Sequence, residues 1–206
     1  KATVDRYRIK RKENPSPTWK AFLANEAKAM ASLDFFTVPT ATFRVLYVFV
    51  VLLHERRHIV HFNVTENPSG TWTTQQIVEA FPWDRAPKYL IRDNDHIYSK
   101  MFTKRINGMG IREVKTAFQS PWQNPFCERL IGSIRRDCLD HMIIFNEQHL
   151  RSVLKSYFDY YHKSRCHLSL DQDSLEPRPI EPPEQGKVMA IPKAGGLHHH
   201  YTRKAA

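Results

Sequence analysis

Residues 33–64 read LDFFTVPTATFRVLYVFVVLLHERRHIVHFNV, and this stretch decides the fold. Three runs rich in β-branched and aromatic residues, Leu33–Val38, Phe43–Leu53 and His58–Val64, are divided by Pro39-Thr40 and by His54-Glu55-Arg56-Arg57, so three successive strands are expected. The middle run is apolar almost throughout, which suits a central strand covered on both faces. At 11 residues, with Arg44 inside it, it falls well short of the roughly 20 that a membrane helix needs, and no membrane partner is expected.

Downstream the period changes. Thr73 with Gln76 three residues later forms a candidate capping box, and Ile77, Ala80 and Phe81 give a short apolar stripe that Pro82 terminates. Lys88–Arg92 reads as a short strand ending in Asp93-Asn94-Asp95, Ser99–Met109 as a helix closed by Gly110, and Ile111–Phe118 as another strand. Asn124-Pro125 opens a further helix, since Asn is a preferred N-cap and Pro a preferred first residue. Leu150, Val153, Leu154, Tyr157, Phe158 and Tyr161 then recur at helical spacing and predict a long amphipathic helix. Strands alternating with helices imply an α/β layer.

On either side of a core at 31–175, residues 1–30 carry 8 Lys or Arg against 3 Asp or Glu and read as a basic arm leading into a short helix. Residues 176–206 are rich in Pro, show no periodic pattern, and are expected to form an extended basic tail. In it His198, His199 and His200 make a cluster without evident partners. The chain begins at Lys1 without Met, as a fragment of a longer protein would.

The net charge of +10 over 206 residues favours a polyanionic partner such as nucleic acid. Cys127, Cys138 and Cys166 cannot close a disulfide framework and suggest a reducing compartment. Cys127 and Cys138 fall on the apolar sector of their helix and read as core residues.

Three carboxylates stand out against this background. Asp34 lies between Leu33 and Phe35 in a strand, where a carboxylate has little structural use unless it is paired or binds a cation; the alternative is a strand-end Asp facing water. Asp93 ends a strand, and the carboxyl ends of strands in open α/β sheets are where ligands bind, although Asp is also a common turn residue. Glu128 falls outside the apolar sector of its helix and shares its side with Arg129, Gly132, Arg135 and Arg136. Such a group is either a salt-bridged surface or a metal ligand beside cations that suit a phosphate backbone. Three acids in separate elements, followed by arginines, fit a reaction at a phosphodiester, in which two divalent ions activate the attacking oxygen and stabilise the leaving one. Mg²⁺ suits such a set because it takes oxygen ligands.

Order and surrounding motif narrow the reading further. Leu33-Asp34-Phe35-Phe36, Ile91-Arg92-Asp93-Asn94-Asp95 and Ser120-Pro121-Trp122-Gln123-Asn124-Pro125-Phe126-Cys127-Glu128-Arg129-Leu130 resemble the D,D,E catalytic core of retroviral integrases and bacterial insertion-sequence transposases. Asp93 and Glu128 are 35 positions apart, close to the family's characteristic interval. Gly110-Ile111 before a strand, Arg135 seven residues after Glu128, and Tyr160-Tyr161-His162-Lys163-Ser164-Arg165-Cys166-His167-Leu168-Ser169-Leu170 extend the likeness to about residues 18–175.

The resemblance implies an α/β, RNase H-like fold, a five-stranded mixed sheet flanked by helices, with Asp34 and Asp93 on adjacent strands and Glu128 brought by a helix. It implies a polynucleotidyl transferase dependent on Mg²⁺ or Mn²⁺, two ions being expected with DNA bound. Asp34 and Asp93 would hold one ion jointly and Glu128 would complete the second site. The implied reaction is hydrolysis at a transposon end, then attack of the freed 3′-hydroxyl on target DNA. Asn124, Arg129, Arg135 and Arg136 are the expected DNA contacts, a homo-oligomer on DNA is the expected assembly, and a bacterial cytoplasm the expected location. Two other readings remain open: a non-catalytic DNA-binding remnant of a transposon, and an RNase H-like nuclease that cuts without joining. The zinc module of retroviral integrases is not expected, since no Cys-x-x-Cys pair exists.

Overall fold

The computed structural model describes residues 17–82, 86–117 and 120–205. The basic arm expected over 1–30 lies outside these up to residue 16; the described remainder forms a helix, α1 (Pro17–Glu26), a 3-10 turn over Ala27–Ala29 and the first residue of the first strand. Five strands follow, β1 (Met30–Pro39), β2 (Val45–Leu53), β3 (His58–Thr65), β4 (Tyr89–Arg92) and β5 (Arg112–Lys115), interleaved with α2 (Gly70–Ala80), α3 (Lys100–Gly108), α4 (Pro125–Asp137) and α5 (Glu147–Lys163). The sheet order is β3-β2-β1-β4-β5. The first three strands pair antiparallel, and β4 and β5 add parallel to β1. This is the five-stranded mixed sheet of an RNase H-like fold.

Alternation along β1 and β2 builds two cores, because successive side chains in a strand point to opposite faces. Ala31, Leu33, Phe49 and Val51 face α2 and α3, where Ile77, Phe102 and Ile106 meet them. Phe36, Val38, Leu46, Val48, Val50 and Leu52 face α4 and α5. With apolar side chains on both faces, β2 has the near-continuous hydrophobic run of a doubly covered strand. The stripe expected on α5 is buried residue for residue. On α4, Cys127, Leu130, Ile134 and Cys138 are buried, with Phe126 and Ile131 partly so.

Local boundaries depart from expectation at several places: β1 begins at Met30, before Leu33, and β5 stops at Lys115, the expected end at Phe118 lying outside the described residues. The N-cap of α2 is Ser69, whose Oγ accepts from Trp72 N–H, so the helix starts one turn before Thr73; Thr73 instead donates its hydroxyl to the Ser69 carbonyl and, like Gln76, is buried. Phe43 is not part of β2 but sits in the β1–β2 turn at φ 61, with its ring 93% exposed. That turn is tied by Thr40, which exchanges backbone and side-chain bonds with Arg44. At α4, Asn124 takes the N-cap position without a side-chain cap, because its amide is used elsewhere.

The C-terminal segment differs most. Instead of an extended tail it forms an antiparallel hairpin, β6 (Lys187–Lys193) with β7 (His198–Lys204), docked on α5. Ala194 is fully buried and its N–H donates to Ser156 Oγ at 2.9 Å, while Lys193 pairs with Asp159 at 2.5 Å. The histidine run has partners after all. His198 stacks on Tyr160 at 4.2 Å and bonds the Asp137 carbonyl through Nε2 at 2.6 Å, and His200 Nδ1 bonds Ser164 Oγ at 2.8 Å.

Candidate active site

Strand register brings the two aspartates together. In the parallel β1–β4 pair, Met30 lies opposite Tyr89 and Ser32 opposite Ile91; Asp34 and Asp93 each follow two residues beyond that last pair, and the charge of Asp93 reaches Asp34. Asp34 shares the pleat face of Phe36 and Val38, the face that α4 covers. The first turn of α4 is pinned to this part of β1 by two contacts. Asn124 donates its amide to the Leu33 carbonyl at 3.2 Å, and Ser32 Oγ and Cys127 Sγ share a hydrogen bond at 3.2 Å. Glu128, next in the chain after Cys127, is thereby held beside β1 with its side chain exposed.

Electrostatics record the convergence. Burial pushes the Asp34 carboxyl up to about 7 against the relief given by Phe35 N–H, which donates to it at 2.8 Å, and the charges of Asp93, Glu128 and Asp95 push in the same upward direction. Asp93 is also raised, first by desolvation, with Asp95 N–H and Arg92 acting the other way. Tyr98, buried beside both, has its hydroxyl held well above its ordinary value by burial and by the charges of Asp93 and Asp34. Carboxylates that disfavour each other's ionisation form a site short of positive charge. The three do not close into a tight cage: among the described residues, the cluster with ligand atoms all within 4.8 Å of one another is His58, His162 and Glu176.

Arg92, which the sequence did not single out, anchors the Asp93 end of β4. Its guanidinium is 2% exposed, reaches Glu113 on β5 through Nε at 2.6 Å, donates to the Asp93 carbonyl at 2.7 Å, and lies over the Tyr98 ring at 4.6 Å. Thr103 adds a bond to the same Glu113 oxygen at 3.3 Å. Asp95 is occupied differently: its carboxylate accepts from Ile97 N–H at 3.0 Å and stabilises the turn that follows.

The expected DNA contacts fall in three kinds of place. Arg129 and Arg136 are exposed on α4, the latter folded over Gly132, where an added Cβ would meet Arg136 Nη1 at 2.9 Å. Arg135 is laid back over β1, donating to the Thr37 carbonyl at 3.2 Å with its guanidinium 5.7 Å from the Phe36 ring centre. Asn124 is buried, 5% exposed, so its amide latches α4 to β1 instead of facing solvent.

A family model described as an integrase core domain matches residues 109–174, a span that holds Glu128 and the arginines of α4 but neither aspartate. No curated protein matches the sequence. Among solved structures, a chain of the simian T-cell lymphotropic virus intasome in complex with PP2A regulatory subunit B56 gamma is similar with a TM-score of 0.59 at 14% identity, over 83% of this chain and 65% of that one. The Mos1 transposase catalytic domain with raltegravir and Mg is similar at 0.58 and 12% identity, over 69% of this chain and 79% of that one. The catalytic domain of Mos1 mariner transposase follows at 0.57 and 12%, over 69% and 78%. The present chain thus spans just under two thirds of the intasome protein's length, and at these identities the likeness is one of fold. By its RNase H-like fold and by its sequence over residues 109–174, the chain resembles the catalytic cores of DDE integrases and transposases.

Proposed function

We propose that this chain is the catalytic core of a DNA transposase or integrase, cleaving a phosphodiester at an element end and joining the freed 3′-hydroxyl to target DNA. The observation that carries the reading is the meeting of Asp34, Asp93 and Glu128 at one end of the sheet, each acid raising the cost of ionising Asp34. Three oxygen donors short of positive charge fit Mg²⁺ or Mn²⁺, hard ions that share their shell with substrate phosphates. Asp34 and Asp93 would hold one ion and Glu128 would complete a second site. Bound there, such ions supply Lewis acidity to the attacking and leaving oxygens of an in-line displacement.

The chain's own residues set up that chemistry. Arg92 and Glu113 fix the backbone at Asp93, and Asn124 and Cys127 fix the first turn of α4, which carries Glu128, against β1. Arg129 and Arg136, exposed on the same helix, suit the phosphates of a strand entering the site. Arg135 stiffens the contact between α4 and β1 from its seat on Thr37. A homo-oligomer on DNA would supply the two active sites needed for two element ends, and the free thiols fit work in a reducing bacterial cytoplasm.

The test is a cleavage and joining assay on DNA carrying the element's own flanks, with Mg²⁺ or Mn²⁺, for wild type, Asp34→Asn, Asp93→Asn, Glu128→Gln and Asp95→Asn. Covalently joined products are expected from wild type and from Asp95→Asn, and none from the other three. Cutting without joining would make the chain a nuclease, and binding without cutting a remnant. Activity retained by any one of the three acid variants removes that residue from the ligand set.

A further inference from the structure

Ligand atoms of His58, His162 and Glu176 all lie within 4.8 Å of one another, although no motif groups these residues. His58 opens β3, an edge strand, and His162 belongs to the last turn of α5. Glu176 sits in the loop that returns along α5, where its backbone N–H donates to the His162 carbonyl at 2.9 Å. One residue earlier, the Leu175 carbonyl accepts from Arg56 Nε at 2.9 Å. The loop is therefore tied to α5, which carries His162, and to the turn Glu55–Arg57 that leads directly into His58.

The rings are stacked, and chelation of one ion requires one of them to turn out of the stack. They lie face to face with centroids 4.1 Å apart and planes 15° from parallel. His162 Nε2 accepts from Ile59 N–H at 3.1 Å, which requires the neutral ring that metal ions bind. His58 has no hydrogen-bonding partner for its ring among the described residues. The nearby ammonium of Lys163 is engaged by Asp159 at 2.7 Å.

We propose that His58, His162 and Glu176 form a binding site for a transition-metal ion of the zinc class, separate from the carboxylate site on β1 and β4. Two imidazoles and one carboxylate are a recurrent zinc ligand set that leaves a position for water. Imidazole nitrogen selects Zn²⁺ and its neighbours in the first row over Mg²⁺, whereas the all-carboxylate site has the opposite preference. Ligation through His162 Nε2 would exchange the Ile59 N–H bond for a metal bond at that lone pair. The register Ala31–Leu53–His58 places the site on the sheet edge, two strands away from β1. An ion there cross-links the start of β3, the end of α5 and the loop at Glu176, and so holds down an edge that carries unpaired backbone groups.

The full chain, stripped with a chelator and titrated with Co²⁺ in excess Mg²⁺ while visible absorption is followed, tests the site. One equivalent of Co²⁺ should give the intense band of a four-coordinate ion, and Zn²⁺ should displace it. His58→Asn, His162→Gln and Glu176→Gln should each weaken binding by at least about tenfold, with far-UV circular dichroism of the metal-free proteins unchanged. His199→Ala, an exposed histidine on β7, should bind as wild type. Absence of the band, its survival in His58→Asn, or its loss in His199→Ala overturns the proposal, the last result assigning the ion to the hairpin. If His162→Gln fails to fold because the Ile59 bond is gone, His58→Asn still decides, since it breaks no hydrogen bond.

Discussion

Asp34 is where the chemistry of the site weighs on the stability of the chain. A carboxyl with an ordinary value of 3.8 in the unfolded chain and about 7 in the folded one keeps its proton longer when folded. Between those values the folded state binds more protons than the unfolded state, so stability falls as pH rises from about 4 through 7. At about 1.4 kcal/mol per pH unit the loss reaches up to about 4 kcal/mol above pH 7. Without divalent metal, Asp34→Asn should therefore be more stable than wild type at pH 8 and nearly equal to it at pH 4. Urea denaturation at the two pH values checks this, and equal stability at pH 8 would mean that the carboxyl is not confined. The acids were legible in the sequence because a charged residue in an apolar strand, or at a strand's carboxyl end, is conspicuous. Arg92 was not, because its value lies in Glu113 on the next strand and in the Tyr98 ring, contacts that only the fold creates.

Between elements, the Arg92–Glu113 pair joins β4 to β5 in a nearly solvent-free place, with side-chain exposures of 2% and 10%. Arg92→Met leaves Glu113 a buried charge that Lys115, at 3.4 Å from its outer oxygen, compensates only in part. A cost of about 3–5 kcal/mol is expected. The double variant Arg92→Met/Glu113→Leu should recover most of that stability, yet leave Asp93 without the bond to its carbonyl, so that activity stays low while the fold returns. Denaturant unfolding of both single variants and the double separates these effects; additive losses would show that the pair is not coupled. The docked hairpin makes a second expectation. His198→Ala removes a ring stacked on Tyr160 and a bond to the Asp137 carbonyl, and should lower stability by about 1–2 kcal/mol, measurable by thermal or urea unfolding. A change within about 0.5 kcal/mol would indicate that the hairpin does not stabilise α5.

These two elements show what patterning can and cannot reveal. The stripe on α5 was legible because one face of a helix packs on one core, and the period survives in the residue order. On β6, Lys187–Pro192 is exposed throughout, so no alternation marks it as a strand. Its contacts with α5 come from its end, at Lys193 and Ala194. The shift of the α2 start to Ser69 has a similar origin: Thr73 and Gln76 have capping chemistry, but Gln76 is buried and its carbonyl oxygen is used by His61 and Asn63 of β3.

For the whole molecule, topology gathers three acids scattered in the sequence at one end of the sheet, where we propose that they form one site. Parallel addition of β4 to β1 brings Asp93 near enough for its charge to raise the Asp34 carboxyl, and the α4 docking contacts bring in Glu128 from 35 positions further along the chain. On the proposed function, the +10 charge would supply attraction to DNA that is independent of sequence. The proposed function makes Asp34, Asp93 and Glu128 the divalent-metal site of this core. Anomalous diffraction from crystals of the chain grown with Mn²⁺ tests it most directly. A Mn²⁺ peak bounded by the Asp34 and Asp93 carboxylates is expected in wild type and is expected to be lost in Asp34→Asn. A wild-type map with Mn²⁺ elsewhere and none between those two residues would contradict it.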